Sequence, residues 1–554
     1  MKESKAGNGK YTGKLVVDPI TRVEGHHKIS VELENGVVNN AWSTVTLYRG
    51  IEQILLGRRP EDAHLLTQRV CGVCTNTHAL TSIKAVEDAI GIQVPENARL
   101  IRHLLLAAIQ LHDHIVHFYH LNSPDWVDMA ASLSADPAKA EKLAENSGYK
   151  GLKAEEMTLL KARLKKFVDG GQLGVLTNAY FLGGHPSYRL SPEMNLIMTT
   201  NYFRALEVQR RLGQSMAVLG AKNPHSQTML VGGVTCYNSL NKESFDDFRR
   251  IWDESHEFTY NRYMPDLVNL AKAYPEWAGI GGNSNFFSAG DMADADGETF
   301  FKPGVVYGRN LDKLEKFDAG KIQEHVARSW YEGDKARHPY EGETKPEFTY
   351  MDDEDRYSWT KAPRYGGEPM EVGPLGRVLV HMAIGGDIMA GLGEKYVEDA
   401  GIKREGMFST LGRTAGRCLE TAALATKAYD WIDELEERVL SGDKKIFQEW
   451  TMPRQGKGMA FIAVPRGELS HWIRIEDYKI ANYQMVVPST WNCGPRCSEG
   501  KLGPVESSLI GTPVADAERP VELLRTVHSF DPCLACSVHL IEPETNRDIC
   551  VRAV

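Results

Sequence analysis

Two pairs of cysteines stand near opposite ends of a 554-residue chain: Cys71 and Cys74 in RVCGVCTNTHA, and Cys533 and Cys536 in FDPCLACSVH. In each pair two residues separate the thiols, and a histidine (His78 or His539) follows within one helical turn. Such spacing lets two thiolates reach one metal from a single turn, with Gly72 or Pro532 shaping the backbone. One such pair alone is as readily a pair of packed core thiols. Two pairs with flanking histidines favour a metal. A structural zinc module gathers its pairs within a few dozen residues, whereas a separation of nearly the whole chain suits a buried site in a large core. Neither pair lies beside the βαβ pattern of a thioredoxin-like redox motif. Thiolate-rich ligation points to a soft or redox-active metal.

The remaining composition narrows the function classes. Nine cysteines in 554 residues are too few for a disulfide scaffold. A net charge of −10 argues against a nucleic-acid surface, which needs clustered Lys and Arg. The longest apolar run, LLLAAI at 104–109, falls far short of the roughly 20 residues of a bilayer span, so no membrane span of its own is expected. The opening MKESKAGNGKYTGK has no apolar segment of a secretory signal, which by itself reads as cytoplasmic. Export in the company of a partner that carries the signal stays open.

Residues 14–48 alternate apolar and polar positions around Asn35-Gly36, a hairpin signal. Helical spacing predicts helices over 76–90, 96–121, 154–170, 192–220, 242–273, 376–400 and 409–441. The stretch 280–372 reads as loops with short strands, and strand-like runs return after 458. The expected fold is α+β, a predominantly helical core with peripheral β-hairpins and sheets, built as one large domain over 1–539.

The motifs RVEGH (22–26), RVCGVCTNTHA, LHDHIVHFYHL (111–121), PHSQTMLVGGV (224–234), EVGPLGRVL (371–379), VPRGELSHW (464–472), NYQMVVPSTWN (482–492) and SFDPCLACSVH occur in this order. Together they resemble the large subunit of nickel-iron hydrogenases. A related complex I subunit shares that fold but, as a family, lacks the full cysteine set. The resemblance implies that Cys71, Cys74, Cys533 and Cys536 bind nickel, with Cys74 and Cys536 also bridging to iron. It implies carbon monoxide and cyanide on the iron, in a pocket of Pro465, Arg466, Pro488 and Ser489. Dihydrogen would be split heterolytically, with a nearby base receiving the proton.

Glu24 matches the proton-relay glutamate of that family, and Asp113 and Asp531 match acids that balance Arg466. His78 matches a histidine that hydrogen-bonds a bridging sulfur. His539, Glu52 and the carbonyl of Met485 would hold Mg2+. Without the cysteine motifs, VPRG reads as a turn with a surface arginine and Glu24 as a strand-end carboxylate. His103, His114, His117 and the GGHPS stretch (183–187) are expected to serve packing and inter-subunit hydrogen bonding rather than metal binding. Cys493 and Cys497 lie outside the motif; packing is the expected role, with a surface thiol, disulfide or oxygen-responsive pair as alternatives.

The expected protein is thus the catalytic subunit of an H2-uptake hydrogenase. Spare cysteines are too few for a relay of iron–sulfur clusters, so an iron–sulfur small subunit is expected as the heterodimer partner. The motif forms look most like the respiratory uptake group. That implies a periplasmic location, reached with a small subunit bearing a twin-arginine signal; a cytoplasmic location is the alternative. An H2-sensing regulatory hydrogenase and a complex I-like structural or quinone-binding subunit are the competing readings. The family also implies nickel-insertion factors and an endopeptidase that removes 540–554 after His539, leaving Cys550 without a role.

Overall fold

Asn35 and Gly36 both take positive φ, 52° and 75°, the two-residue turn whose twist suits a hairpin. It joins strands His27–Glu34 and Val37–Val45, and Gly13–Val17 completes a three-stranded antiparallel sheet. The computed structural model describes residues 11–172, 184–351, 353 and 355–537, with the backbone alone at 536 and 537.

The body is helical. Thr77–Ile90, Glu96–Val116, Pro192–Gly220, Lys242–Phe258 and Thr410–Leu440 supply much of the core. Their starts follow from local chemistry. Ser191 Oγ accepts the Met194 N–H at 3.1 Å, Asn241 Oδ1 that of Ser244 at 3.0 Å, and Ser409 Oγ that of Gly412 at 3.1 Å. Each satisfies a donor that the first helical turn leaves without a partner.

Three expected helices differ in outline; the 242–273 stretch is α-helical over Lys242–Phe258, widens to a π-helical turn over Thr259–Tyr263 and is α-helical again over Met264–Ala273. The 96–121 stretch is α-helical only to Val116 and continues as a wider π-helical turn over His117–Asn122. The expected 376–400 helix is two, Pro374–Ile384 and Ile388–Ala400, bent by 99°. Gly385 and Gly386 between them have φ of 75° and 82°, which ends the first helix, and Asp387 caps the second through the Ala390 N–H at 2.9 Å. Among the described residues no single helix is long and apolar enough to cross a membrane.

The C-terminal sheet is an antiparallel meander of Gln455–Val464, Gly467–Glu476 and Lys479–Val486. Val464 pairs with Gly467, so Pro465 and Arg466 form the tip of a two-residue turn. This sheet lies on the helix Thr77–Ile90. At Gly458 a Cβ would fall 2.3 Å from the Ala85 carbonyl oxygen, so only glycine lets strand and helix approach so closely. A set of charged groups buried between helix and sheet is paired. Arg377 donates to Glu420 at 2.7 Å and to Glu468 at 3.0 Å, and His114 Nε2 meets Glu420 at 3.0 Å. Removing one partner from such a set leaves a charge stranded and costs about 3–5 kcal/mol.

Candidate metal centre

Cys71 follows the short turn Gln68–Val70 in extended conformation, and the chain then curls back over its sulfur. The N–H groups of Val73 and Cys74 point at Cys71 Sγ from 3.3 and 3.2 Å. Donors aimed at sulfur favour the thiolate, the form that binds metal. From the other end of the chain, the helix Val521–Ser529 stops at a turn in which Asp531 takes a positive φ of 54°. That turn delivers Cys533 to within 3.4 Å of Cys71 Sγ. The sulfurs of Cys71, Cys74 and Cys533 all lie within 4.8 Å of one another, and all three residues are buried. Cys536 begins one turn after Cys533 on the helix Leu534–Ser537; its side chain lies outside the described atoms.

The N-terminal segment clasps this turn. Glu24 pairs with Cys533 as an isolated parallel bridge: its N–H donates to Pro532 O at 3.3 Å, and its carbonyl accepts from Leu534 at 2.8 Å. The Glu24 carboxylate oxygen Oε2 accepts from Ala535 N at 2.8 Å and from Cys533 Sγ at 3.4 Å. Burial, helped by the charge on Cys71, holds the Glu24 carboxyl above the usual carboxylate range. It is a carboxyl poised to exchange protons beside a thiol.

Arg466 reaches over the cluster from its hairpin tip. Nη1 donates to Asp113 Oδ2 at 3.0 Å, Nη2 to Asp531 Oδ1 at 3.1 Å, and Nε to the Asp531 carbonyl at 3.1 Å. Burial works against its charge, but Asp531, Cys533, Asp113 and Cys74 outweigh it and keep the guanidinium protonated. Burial likewise opposes the Asp531 carboxylate. Arg466, His117 and Arg417 overcome it and hold the group below the ordinary range. The surface-arginine reading of VPRG is therefore wrong: Arg466 is 5% exposed.

Ser489 Oγ accepts the Cys533 N–H at 3.0 Å, and Pro488 opens the short helix that carries it. His78 is fully buried and held near neutral, its pKa pushed down to about 4 by burial. Its Nδ1 meets His471 Nε2 at 3.1 Å, and His471 Nδ1 meets Tyr483 OH at 2.7 Å. His78 Nδ1 is thus taken up by this chain of partners; of the two bridging sulfurs expected, that of Cys536 lies outside the described atoms.

Glu52 and Met485 lie together, joined through the Met485 N–H and not its carbonyl. Glu52 Oε1 accepts the Met485 N–H at 2.8 Å, while Oε2 accepts the Thr344 hydroxyl and lies 3.9 Å from Lys361 Nζ. His539 and the whole of 540–554 lie outside the described residues, as does the first residue of GGHPS. His185 of that stretch accepts the Ser187 N–H at 3.1 Å, His114 bonds Glu420, His117 Nε2 meets the His528 carbonyl at 2.6 Å, and His103 Nδ1 meets Arg99 at 3.2 Å. Their partners lie within this chain. Cys493 and Cys497 are buried and unbridged, which corrects the surface-thiol and disulfide alternatives. Lys361, His471 and Arg417 escaped the sequence reading. Each lies more than a hundred residues from its partner at the site, where no periodic signal reaches.

These residues fit a nickel-iron group. Buried thiols packed this closely repel one another as thiolates unless a cation lies among them, and a carboxyl and a guanidinium border the cluster. Comparison with known proteins agrees. The nickel-dependent hydrogenase family matches residues 49–539, and a HoxL-like family matches 14–47. The chain belongs to the nickel-dependent hydrogenase family. The quinone-reactive Ni/Fe-hydrogenase large chain of Wolinella succinogenes is 40% identical over 97% of each chain. The hydrogenase-2 large chain of Escherichia coli is 40% identical over 98% of this chain and 100% of its own. Among solved structures, the Ni-Fe-Se hydrogenase of Desulfovibrio vulgaris Hildenborough superposes with a TM-score of 0.79 at 32% identity, covering 96% of this chain and 100% of that one. The chain is the large, catalytic subunit of a nickel-iron hydrogenase, with the mixed helical and sheet fold of that subunit.

Proposed function

We propose that this subunit oxidises dihydrogen in the uptake direction, with Cys71, Cys74, Cys533 and Cys536 holding nickel, and with Cys74 and Cys536 shared with iron. The observation that carries this reading is the buried cluster of three thiols from both ends of the chain, bordered by Glu24 and Arg466. Bound by these thiolates, nickel and iron would supply the electron-rich, redox-active chemistry that dihydrogen oxidation needs.

The chain's own residues do the rest. Glu24, 3.4 Å from Cys533 Sγ and held above the usual carboxylate range, receives a proton at Oε2 and releases it away from the cluster. Arg466, pinned by Asp113 and Asp531, keeps a positive charge over the site and excludes bulk water from it. With Pro465, Pro488 and Ser489 it forms the wall against which carbon monoxide and cyanide on the iron would rest, its N–H groups and the Ser489 hydroxyl being the donors a cyanide nitrogen accepts from. His78 stays neutral and positions the Cys71–Cys74 turn through its tie to His471. Glu52, Met485 and His539 are the proposed Mg2+ ligands. A single carboxylate suits an ion that keeps most of its waters.

The proposed partner is an iron–sulfur small subunit; the relatives are themselves named large chains or large subunits. The proposed location is periplasmic, reached with that partner. The end of the family match at residue 539 supports reading 1–539 as the mature domain and 540–554 as an extension removed by an endopeptidase after nickel insertion. Relatives named for hydrogen uptake and quinone reactivity disfavour the sensor and structural readings. Nickel and iron analysis of the purified heterodimer, with H2-dependent dye reduction and intact mass, tests the proposal. A protein without nickel, or an active chain of full length, contradicts the corresponding part.

A further inference from the structure

Asp113 is a buried carboxylate with two different tasks for its two oxygens. Oδ2 accepts from Arg466 Nη1 at 3.0 Å, and Oδ1 meets His112 Nδ1 at 3.0 Å. The far nitrogen of the same ring, His112 Nε2, meets Gln209 Oε1 at 3.0 Å on the neighbouring helix Pro192–Gly220. The Asp113 side chain is fully buried, whereas that of His112 is 17% exposed. The Asp113 carboxylate can only accept, so Nδ1 donates to it and Nε2 accepts from the Gln209 amide turned to present its nitrogen; a line of three hydrogen bonds thus runs from the guanidinium to the edge of the helical body.

The contact between His112 and Asp113 is not one a helix provides unaided. Successive side chains point about 100° apart, so neighbours in sequence do not ordinarily face each other. The ring turns toward its neighbour while Gln209 grips its other edge. A carboxylate tethered at one oxygen can still pivot about that bond. Held at both oxygens, it offers Arg466 a single orientation.

We propose that His112 is a positioning residue: it locks Asp113 from the outer side and thereby fixes where Arg466 places its charge. The inference rests on the reading of Arg466 given above. The alternative is that His112 merely ties two helices together through Gln209.

Two isosteres separate these roles. In H112N the side-chain amide nitrogen falls where Nδ1 was and can still donate to Asp113, but it cannot reach Gln209. In H112Q the amide nitrogen falls where Nε2 was and keeps the tie to Gln209, but the donor facing Asp113 is lost. Crystal structures of both heterodimers, nickel and iron content, and kcat and KM for H2 are measured together. The expected result is that H112Q shows Asp113 turned away from Arg466 and a kcat lowered about tenfold, with KM and metal content held. H112N is expected to keep the Asp113–Arg466 contact and recover most of that loss.

The proposal is overturned if H112Q keeps Asp113 in place, or if H112N loses as much as H112Q. R466K serves as the separate control. Full activity in R466K removes the role assigned to Arg466, while the crystal structures still report whether His112 orients Asp113.

Discussion

Glu24 Oε2 lies 3.4 Å from Cys533 Sγ and 2.8 Å from the Ala535 amide, so one carboxylate oxygen both faces a thiol of the buried cluster and holds the backbone that carries it. The two tasks separate in the E24Q variant. Glutamine can still accept from Ala535 but cannot carry a proton. Activity is expected to fall at least about 10²-fold while nickel content and thermal midpoint stay near those of the parent. Dye-reduction assays beside metal analysis provide the check; an active E24Q enzyme removes Glu24 from the proton route.

The next residue supports the same clasp by having no side chain. Gly25 has a φ of 84°, and a Cβ there would lie 2.9 Å from Leu534 Cβ and 3.0 Å from Ala535 N. Alanine at this position meets a backbone preference of about 1–2 kcal/mol and pushes the Cys533 turn outward. The G25A protein is expected to bind less nickel per chain and to melt earlier. Full nickel occupancy in G25A would show that the turn can yield without losing its sulfurs.

Lysine cannot reproduce the fork by which Arg466 holds Asp113 and Asp531 at once. With R466K, kcat is expected to drop by about 10²–10³. A lost contact to one of two buried carboxylates also lowers stability by about 3 kcal/mol. Urea titration of the variant beside activity measurements reads both effects.

Acid sensitivity has a definite sign at His27. Burial pushes its pKa down to about 3, its Nε2 sits 2.8 Å from Ser43 Oγ, and in the unfolded chain it titrates near 6.5. The unfolded state therefore binds the proton first as pH falls. Stability from the neutral ring is complete above pH 6.5 and is lost as pH drops toward 3, at about 1.4 kcal/mol per unit. Asp266 and Glu468, raised by burial to about 6 and 7, act in the opposite sense over part of that range. The difference between parent and H27Q is thus the quantity to follow. Its urea stability difference should shift steadily in favour of H27Q from pH 7 to pH 5; a flat difference refutes the assignment.

Legibility in the sequence followed the range of the interaction that shapes each feature. The Asn35-Gly36 turn, the helix starts at Ser191 and Asn241 and the two cysteine turns depend on neighbours within a few residues, and each was readable. The break at Gly385-Gly386 was local too, yet an apolar period that continues across it suggested one helix. The fork of Arg466 on Asp113 and Asp531 joins residues 353 and 65 positions apart, so only the family resemblance could name it. His78 and His471 each lie in a quoted motif, but nothing local says that two rings 393 positions apart meet, and the Lys361 ammonium beside Glu52 had neither a periodic pattern nor a motif to announce it.

The contact between Cys71 and Cys533 spans 462 residues of chain. At synthesis rates of about 5–20 residues per second, Cys71 leaves the ribosome roughly 20–90 s before Cys533 does. Through that interval the helices that carry Asp113 and His78 can pack, and the hairpin bearing Arg466 joins them near its end. The wall formed by the Cys533 turn is the last to arrive. Long-range closure of this kind is slow in any chain, and here it makes the buried thiol cluster a product of the final moments of translation.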